Sequence, residues 1–333
     1  MNKITKKFFF TLGLLISTTS FLLAQHIDGV INVKEVERIE RTLSADDMRG
    51  RKTFTPDIEK AADFIAGEFK TIGLQTLNSN GSYRQEFTLS SAELNKYGIK
   101  SMPGITQFVL ANVIAVLPGK SRKDEYVIFS GHYDHIGVGS PVNGDSVYNG
   151  ANDDAAGTTA VIMLAKYFKE LNTNERTIVF VAFTGEEVGG FGSQYFSRQL
   201  NADKVVAMFN IEMIGTESKW GKNAAYITGY DKTNMGEIMG RDLKGSGFTF
   251  YPDPYPGQQL FYRSDNATLA KLGVPAHTIS TSKMDYEPNY HQVTDHIETL
   301  DLDNMTMIIK AIALSSKSIV AGTATPIRVK AEK

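Results

Sequence analysis

The sequence predicts an α/β protein, a three-layer sandwich with helices on both faces of a mixed, mostly parallel central sheet. Three observations carry that reading. Apolar runs of strand length interleave with segments of helical apolar spacing. The runs Tyr126 to Ser130 (YVIFS) and Thr177 to Phe183 (TIVFVAF) are almost continuously apolar, as central strands buried on both faces require. Polar clusters follow these runs, where the strands of such a sheet end and ligands bind.

The elements follow in order. Ile31 to Leu43 has helical spacing, with Ile31, Val36, Ile39 and Leu43 near one face. Asp57 to Ile72 repeats the pattern through Ile58, Ala61, Ala62, Ile65, Phe69 and Ile72, and Gly73 is its stop. Met48 to Thr55 is a polar connector. Asn112 to Leu117 is a strand ended by Pro118-Gly119, and Tyr126 to Ser130 is the next. Ala155 to Leu171 is a helix with Val161, Leu164, Ala165 and Phe168 on one face. Thr177 to Phe183, Lys204 to Ile211, Ala224 to Thr228 and Ala276 to Ile279 are further strands. Met235 to Leu243, Ser264 to Leu272 and Asn304 to Ile319 are helices. No internal repeat and no low-complexity linker interrupts the chain, so one domain is expected over 25–333.

Residues 1–24 have the form of a signal peptide. Lys3, Lys6 and Lys7 precede an apolar stretch, Phe8 to Ala24, that Ser17-Thr18-Thr19-Ser20 weakens. The stretch is shorter than the roughly 20 strongly apolar residues of a spanning helix. Leu22 and Ala24 suit a cleavage site before Gln25. An exported protein, periplasmic or secreted, is therefore expected, with no membrane association after cleavage.

The 333 residues are 42% hydrophobic and 22% charged, a globular composition with a net charge of −2. No basic field points to nucleic acid. The absence of cysteine excludes disulfides, thiol nucleophiles and cysteine-based zinc or iron–sulfur sites. The chain has no Walker loop, no His-Glu-x-x-His and no Gly-x-Ser-x-Gly.

Five polar sites remain. They are Gly131-His132-Tyr133-Asp134-His135, the run Gly150 to Gly157 with Asp153 and Asp154, Thr184-Gly185-Glu186-Glu187, Glu212-Met213-Ile214-Gly215, and Tyr290-His291. Each alone is ordinary: Asp154 abuts a helix start and reads as an N-cap, and a Glu pair in a loop reads as a solvated face. Together they crowd carboxylates at one sheet edge, and divalent cations relieve that repulsion. Two His and three carboxylates, with one carboxylate shared, complete a pair of metal sites. With no thiolate available, zinc is the first choice.

With these five motifs in this order, the sequence resembles the co-catalytic di-zinc aminopeptidases. That family is related to glutaminyl cyclases and to the glutamate carboxypeptidase and transferrin receptor ectodomains. The resemblance runs from about Leu43 to Ile319. It implies the zinc-exopeptidase fold and two zinc ions: His132 and Glu212 on one, Glu187 and His291 on the other, Asp153 between them. It further implies Glu186 as general base, Asp134 as the carboxylate that fixes the His132 tautomer, and Tyr290 as a donor to the oxyanion. Arg263-Ser264-Asp265 matches a segment near the substrate's first residue, and a cis Asp153–Asp154 peptide is implied.

The implied activity is hydrolysis of N-terminal residues from peptides. Glutaminyl cyclisation, carboxypeptidase or dipeptidase action, and a non-catalytic binding ectodomain are the alternatives on the same fold. Glu212 stands where the family usually has Asp, which leaves room for another divalent metal at the His132/Glu212 site. Asn266 likewise replaces a usual His. His277 reads as a core residue, His135 and His296 as neighbours of ligands, and Trp220 with Pro252, Pro254 and Pro256 as a rim of the cleft or a structural loop.

Overall fold

Tyr126 to Ser130 lies at the heart of the sheet. The computed structural model describes residues 27–77, 81–99 and 106–330; the expected signal peptide lies outside the described residues. In chain order the strands are β1 (Gln75–Thr76), β2 (Arg84–Ser90), β3 (Gln107–Leu117), β4 (Arg122–His132), β5 (Gly137–Val142), β6 (Asp145–Tyr148), β7 (Arg176–Phe183), β8 (Val205–Ile211), β9 (Ala224–Ile227), β10 (Thr249–Pro252) and β11 (Ala276–Ser280). Nine strands form one sheet, in the order β1-β3-β7-β4-β8-β11-β9-β10 with β2 also on β3; β5 and β6 make a separate ribbon. The central run β7-β4-β8-β11 is parallel throughout. β3 and β9 flank it antiparallel, which makes the sheet mixed.

The helices are α1 (Val33–Leu43), α2 (Asp57–Ile72), α3 (Ser91–Lys96), α4 (Ala156–Leu171), α5 (Phe191–Gln199), α6 (Met235–Asp242), α7 (Asn266–Ala270), α8 (Leu302–Ser315) and α9 (Lys317–Val320). Because side chains alternate along a strand, each central strand feeds two cores. Val127, Phe129, Phe180 and Phe209 pack with α1, α2, α4, α6 and α8 on one face. Ile128, Val179, Val181 and Met208 pack with Phe196 of α5 and Leu269 of α7 on the other. The three layers match the expected sandwich. Phe129 stacks on Phe209 at 4.9 Å, Phe180 at 5.9 Å and Phe168 of α4 at 5.4 Å. Truncating a buried ring of this kind costs about 3–5 kcal/mol.

Local signals explain the ends. Asn32 caps α1 by accepting the Glu35 N–H, and Asp301 caps α8 by accepting that of Asn304. Gly73 closes α2 in the left-handed conformation (φ 77°) that glycine adopts freely. The expected helices and strands all appear, with shifted ends. The helix expected from Ser264 narrows to α7, and the Ser264 hydroxyl donates to Glu212. The last helix breaks at Ser316, and α9 follows. Strand β2 had no apolar run to announce it: it is half-buried and alternates, with Gln85, Phe87 and Leu89 inward. Among the described residues no helix is long and apolar enough to cross a membrane.

Candidate metal centre

The parallel strands deliver the polar motifs to one edge. His132 is the last residue of β4, Glu186 and Glu187 follow β7, and Glu212 follows Ile211 at the end of β8. The segment beyond β11 carries Tyr290 and His291. Asp153 lies in the turn into α4. That turn reaches the edge because α4 starts hard against β8: a Cβ on Gly157 would lie 2.2 Å from the Ile211 carbonyl oxygen. Only glycine permits this approach.

Around Asp153 the side chains form two groups. His132 Nε2 lies 3.3 Å from Asp153 Oδ1 and 3.2 Å from Glu212 Oε1. His291 Nε2 lies 3.2 Å from Asp153 Oδ2 and 3.1 Å from Glu187 Oε2. The two oxygens of one carboxylate thus face different imidazoles. His135 joins the second group, with Nδ1 2.8 Å from Glu187 Oε1 and 3.9 Å from Asp153 Oδ2. The donor atoms of His132, Asp153 and Glu212, and those of His135, Asp153 and Glu187, lie within 4.8 Å of one another, close enough to hold a metal ion.

The donor set fits such ions. Asp153 is buried, and its Oδ2 has no hydrogen-bond partner. Imidazole nitrogens and carboxylate oxygens are zinc ligands. Burial opposes ionisation of Asp153, but the imidazoles of His132 and His291 beside it outweigh burial and hold the carboxyl below its usual range. His291 is pushed up to about 10 by the neighbouring carboxylates of Asp153 and Glu187. Glu186 is held well above its usual range, by burial first and then by the carboxylates of Glu212 and Asp265. Such an excess of buried negative charge favours divalent cations.

Residues 112–315 match the model of peptidase family M28. The chain belongs to peptidase family M28. Among its relatives, a probable leucine aminopeptidase of Trichophyton verrucosum is 30% identical over 209 residues, covering 60% of this chain and 54% of that protein. Leucine aminopeptidase 1 of Trichophyton rubrum is 26% identical over 298 residues, covering 85% and 76%. The chain thus spans about half the length of the first of these relatives. The aminopeptidase from Aneurinibacillus sp. strain AM-1 superposes with a TM-score of 0.64 at 17% identity, over 92% of this chain and 98% of that one. Porphyromonas gingivalis glutaminyl cyclase superposes with a TM-score of 0.65 at 16% identity, over 87% and 99%. At that identity the likeness is one of fold.

In this M28 chain a ring of buried groups holds the candidate ligands by their backbones. Asp154 accepts the N–H groups of His132, Gly157 and Met213, at 3.1, 2.9 and 3.1 Å, which joins the ends of β4 and β8 to the start of α4. The N-cap position of α4 falls on Ala155, one residue later than the reading of Asp154 as N-cap expects, and Asp154 bonds three separate backbone segments instead. Asp295 accepts the N–H groups of Asn152 and Asp153, at 2.8 and 3.1 Å. Arg51, fully buried, donates to the carbonyls of Tyr133, Leu43, Asn149 and Gly150. The Asp153–Asp154 peptide is cis.

His132 Nδ1 lies 3.1 Å from the backbone carbonyl oxygen of Asp134 and 3.8 Å from the nearer oxygen of its carboxylate. The Asp134 carboxylate is already taken by Thr53 Oγ1 and by the N–H groups of Glu186 and Glu187. His135 was legible only as a neighbour, although a His three residues from His132 with an Asp between them is the local signal for it. Asp295 and Arg51 had no signal beyond residue type. His277 is a core residue, bonded to Thr233 and Thr228, and His296 pairs with Asp145 at 3.1 Å, away from the centre. Trp220 stacks on Tyr251 at 4.2 Å.

Two cavities adjoin the centre. A small one of about 60 Å³ lies beside Glu212 and Tyr290, walled by Met213, Tyr226, Leu260 and Met284. A larger one, of about 540 Å³, lies beside Glu186. Arg263 lines both. Tyr290 stacks on His291 with ring centroids 3.9 Å apart.

Proposed function

We propose that the chain is an exported zinc aminopeptidase, with a signal peptide over 1–24 and one catalytic domain over 25–333. The observation that carries this reading is Asp153, whose two oxygens face His132 and His291 separately. His132 and Glu212 would hold one zinc ion and Glu187 and His291 the other, with Asp153 shared. Two ions there would supply the positive charge that acidifies a water and polarises the scissile carbonyl.

The chain's own groups do the rest. Glu186 takes a proton from the attacking water and returns it to the leaving amine. Tyr290 keeps its phenolic proton, since burial raises its pKa, and donates it in a hydrogen bond to the developing oxyanion. Asp134 orients Glu186 through its backbone N–H. The small cavity beside Glu212 receives the N-terminal side chain, with Arg263 at its edge.

The test uses zinc-reconstituted protein, an aminoacyl 4-nitroanilide and its N-acetylated form. Cleavage of the free amine alone, with close to two zinc ions per chain, is the expected result. Cleavage of N-blocked, C-free peptides alone would make it a carboxypeptidase. Cyclisation of N-terminal glutamine without hydrolysis would move it to the cyclase class.

A further inference from the structure

The larger cavity carries cations that, among the described residues, form no ion pair with a carboxylate. Arg198, Arg263 and Lys271 line it together with Glu186, and all three are exposed. Arg198 Nε donates to the Gln194 carbonyl at 3.0 Å, Arg263 to the side-chain oxygen of Gln258 at 3.2 Å, and the Lys271 ammonium lies 5.9 Å from the Tyr262 ring. Among the described residues none of the three forms an ion pair with a carboxylate. Glu93, whose carboxylate feels Arg198, is held by Ser90 in the capping box of α3. The cavity therefore has two acids in its wall, Glu186 and the buried Asp265, and three cations that form no ion pair with either.

That polarity matches one class of ligand. On the aminopeptidase reading, on which this inference rests, the leaving amine takes its proton from Glu186. The remainder of the substrate must then occupy space next to Glu186, and this cavity is that space. A volume of about 540 Å³ falls in the range of small-ligand sites, roughly 300–1,000 Å³. A chain advances at most about 3.6 Å per residue, so a peptide of two or three residues ends close to the scissile bond. Its free carboxylate would meet the Arg forks, which bind carboxylates through paired hydrogen bonds. We propose that the cavity lined by Arg198, Arg263 and Lys271 is an anion subsite for the C-terminal carboxylate of di- and tripeptides. The chain then favours short peptides with a free C-terminus over long or C-blocked ones.

The experiment compares Leu-Gly-Gly with its C-terminal amide, using the zinc-loaded full chain. A hydrogen bond to a charged group contributes about 1.5–3 kcal/mol, so kcat/KM should favour the free acid by about tenfold or more, chiefly through KM. In the triple variant Arg198→Gln, Arg263→Gln, Lys271→Gln the ratio of acid to amide should fall towards one, whatever the absolute rates. A ratio near one in the wild type, or a ratio the variant leaves unchanged, overturns the subsite and leaves the aminopeptidase reading standing. If neither peptide is cleaved, the aminopeptidase reading falls, and calorimetric titration with Gly-Gly and Gly-Gly amide reads the subsite without turnover. About tenfold tighter binding of the acid, lost in the variant, supports it; equal affinities overturn it.

Discussion

The carboxylate of Asp134 accepts the backbone N–H of Glu186 at 3.1 Å. Through this contact a fully buried acid at the end of β4 aims the proposed base that follows β7. The same carboxylate accepts the Glu187 N–H and the Thr53 hydroxyl. Asp134→Asn replaces one acceptor oxygen by a donor that faces another donor. We expect kcat to fall by about 10–100-fold, the scale of lost support around a metal ligand. Zinc affinity, measured by chelator competition, should weaken as well. An Asn variant with wild-type kcat and zinc affinity would show that this support is dispensable.

Glu186→Gln keeps size and shape but cannot take a proton. Zinc content should stay near that of the wild type while kcat falls by about 10²-fold or more. Elemental analysis and steady-state kinetics on one preparation check both arms. A metal-loaded variant that turns over normally would remove Glu186 from the reaction.

Glu212 uses its extra methylene. One carboxylate oxygen lies 3.2 Å from His132 Nε2, and the other accepts a short hydrogen bond from the Ser264 hydroxyl. The backbone accordingly sits where a longer side chain reaches both partners. Glu212→Asp cannot span them, because a close-packed interior does not shift readily to recover a methylene. Metal at the His132/Glu212 site should be lost first under chelation in the wild type and be absent in the variant. Cobalt substitution followed by absorption spectroscopy counts the two sites. Equal affinities in the wild type and an unchanged variant would show that Glu212 is not a ligand.

Glu40 makes stability depend on pH. It is fully buried beneath α4, and burial pushes its carboxyl up to about 8, against the hydrogen bond from Thr159 and the charge of Arg51. From its ordinary value of 4.5 up to about 8, the folded chain keeps a proton that the unfolded chain has released. Stability contributed by this group therefore falls as pH rises through that window. Glu40→Gln should flatten the urea midpoint across it and stabilise the protein on the alkaline side by a few kcal/mol. Arg51 keeps its four carbonyl partners in that variant. A wild-type midpoint that does not move with pH would refute the assignment.

Much of this molecule is written locally. The strands β4, β7 and β8 and the helices α1, α2 and α4 follow from apolar period and caps. Place after an apolar run marks the polar motifs that hold His132, Asp153, Glu186, Glu187 and Glu212, since a parallel sheet presents whatever follows its strands at one edge; the choice of these residues within the motifs, and of His291, comes from the resemblance to the di-zinc aminopeptidases. β2 escaped because its alternation is diluted by polar inward residues such as Gln85, whose partner is Asn112 on β3.

What the sequence by itself determined was the family, the sandwich and the residues that gather at its edge. Only the tertiary structure decided how those residues face one another. His135 meets Glu187 across 52 residues of chain, Arg51 meets Gly150 across 99, and Asp295 meets Asp153 across 142. No period or spacing encodes such contacts. They depend on which way a side chain leaves its strand end and on which backbone groups the packed helices leave without partners. The same holds for the Asp134 carboxylate, on which donors from Thr53, Glu186 and Glu187 converge. Buried N–H groups must find acceptors, and folding, not sequence proximity, brings the acceptor to them.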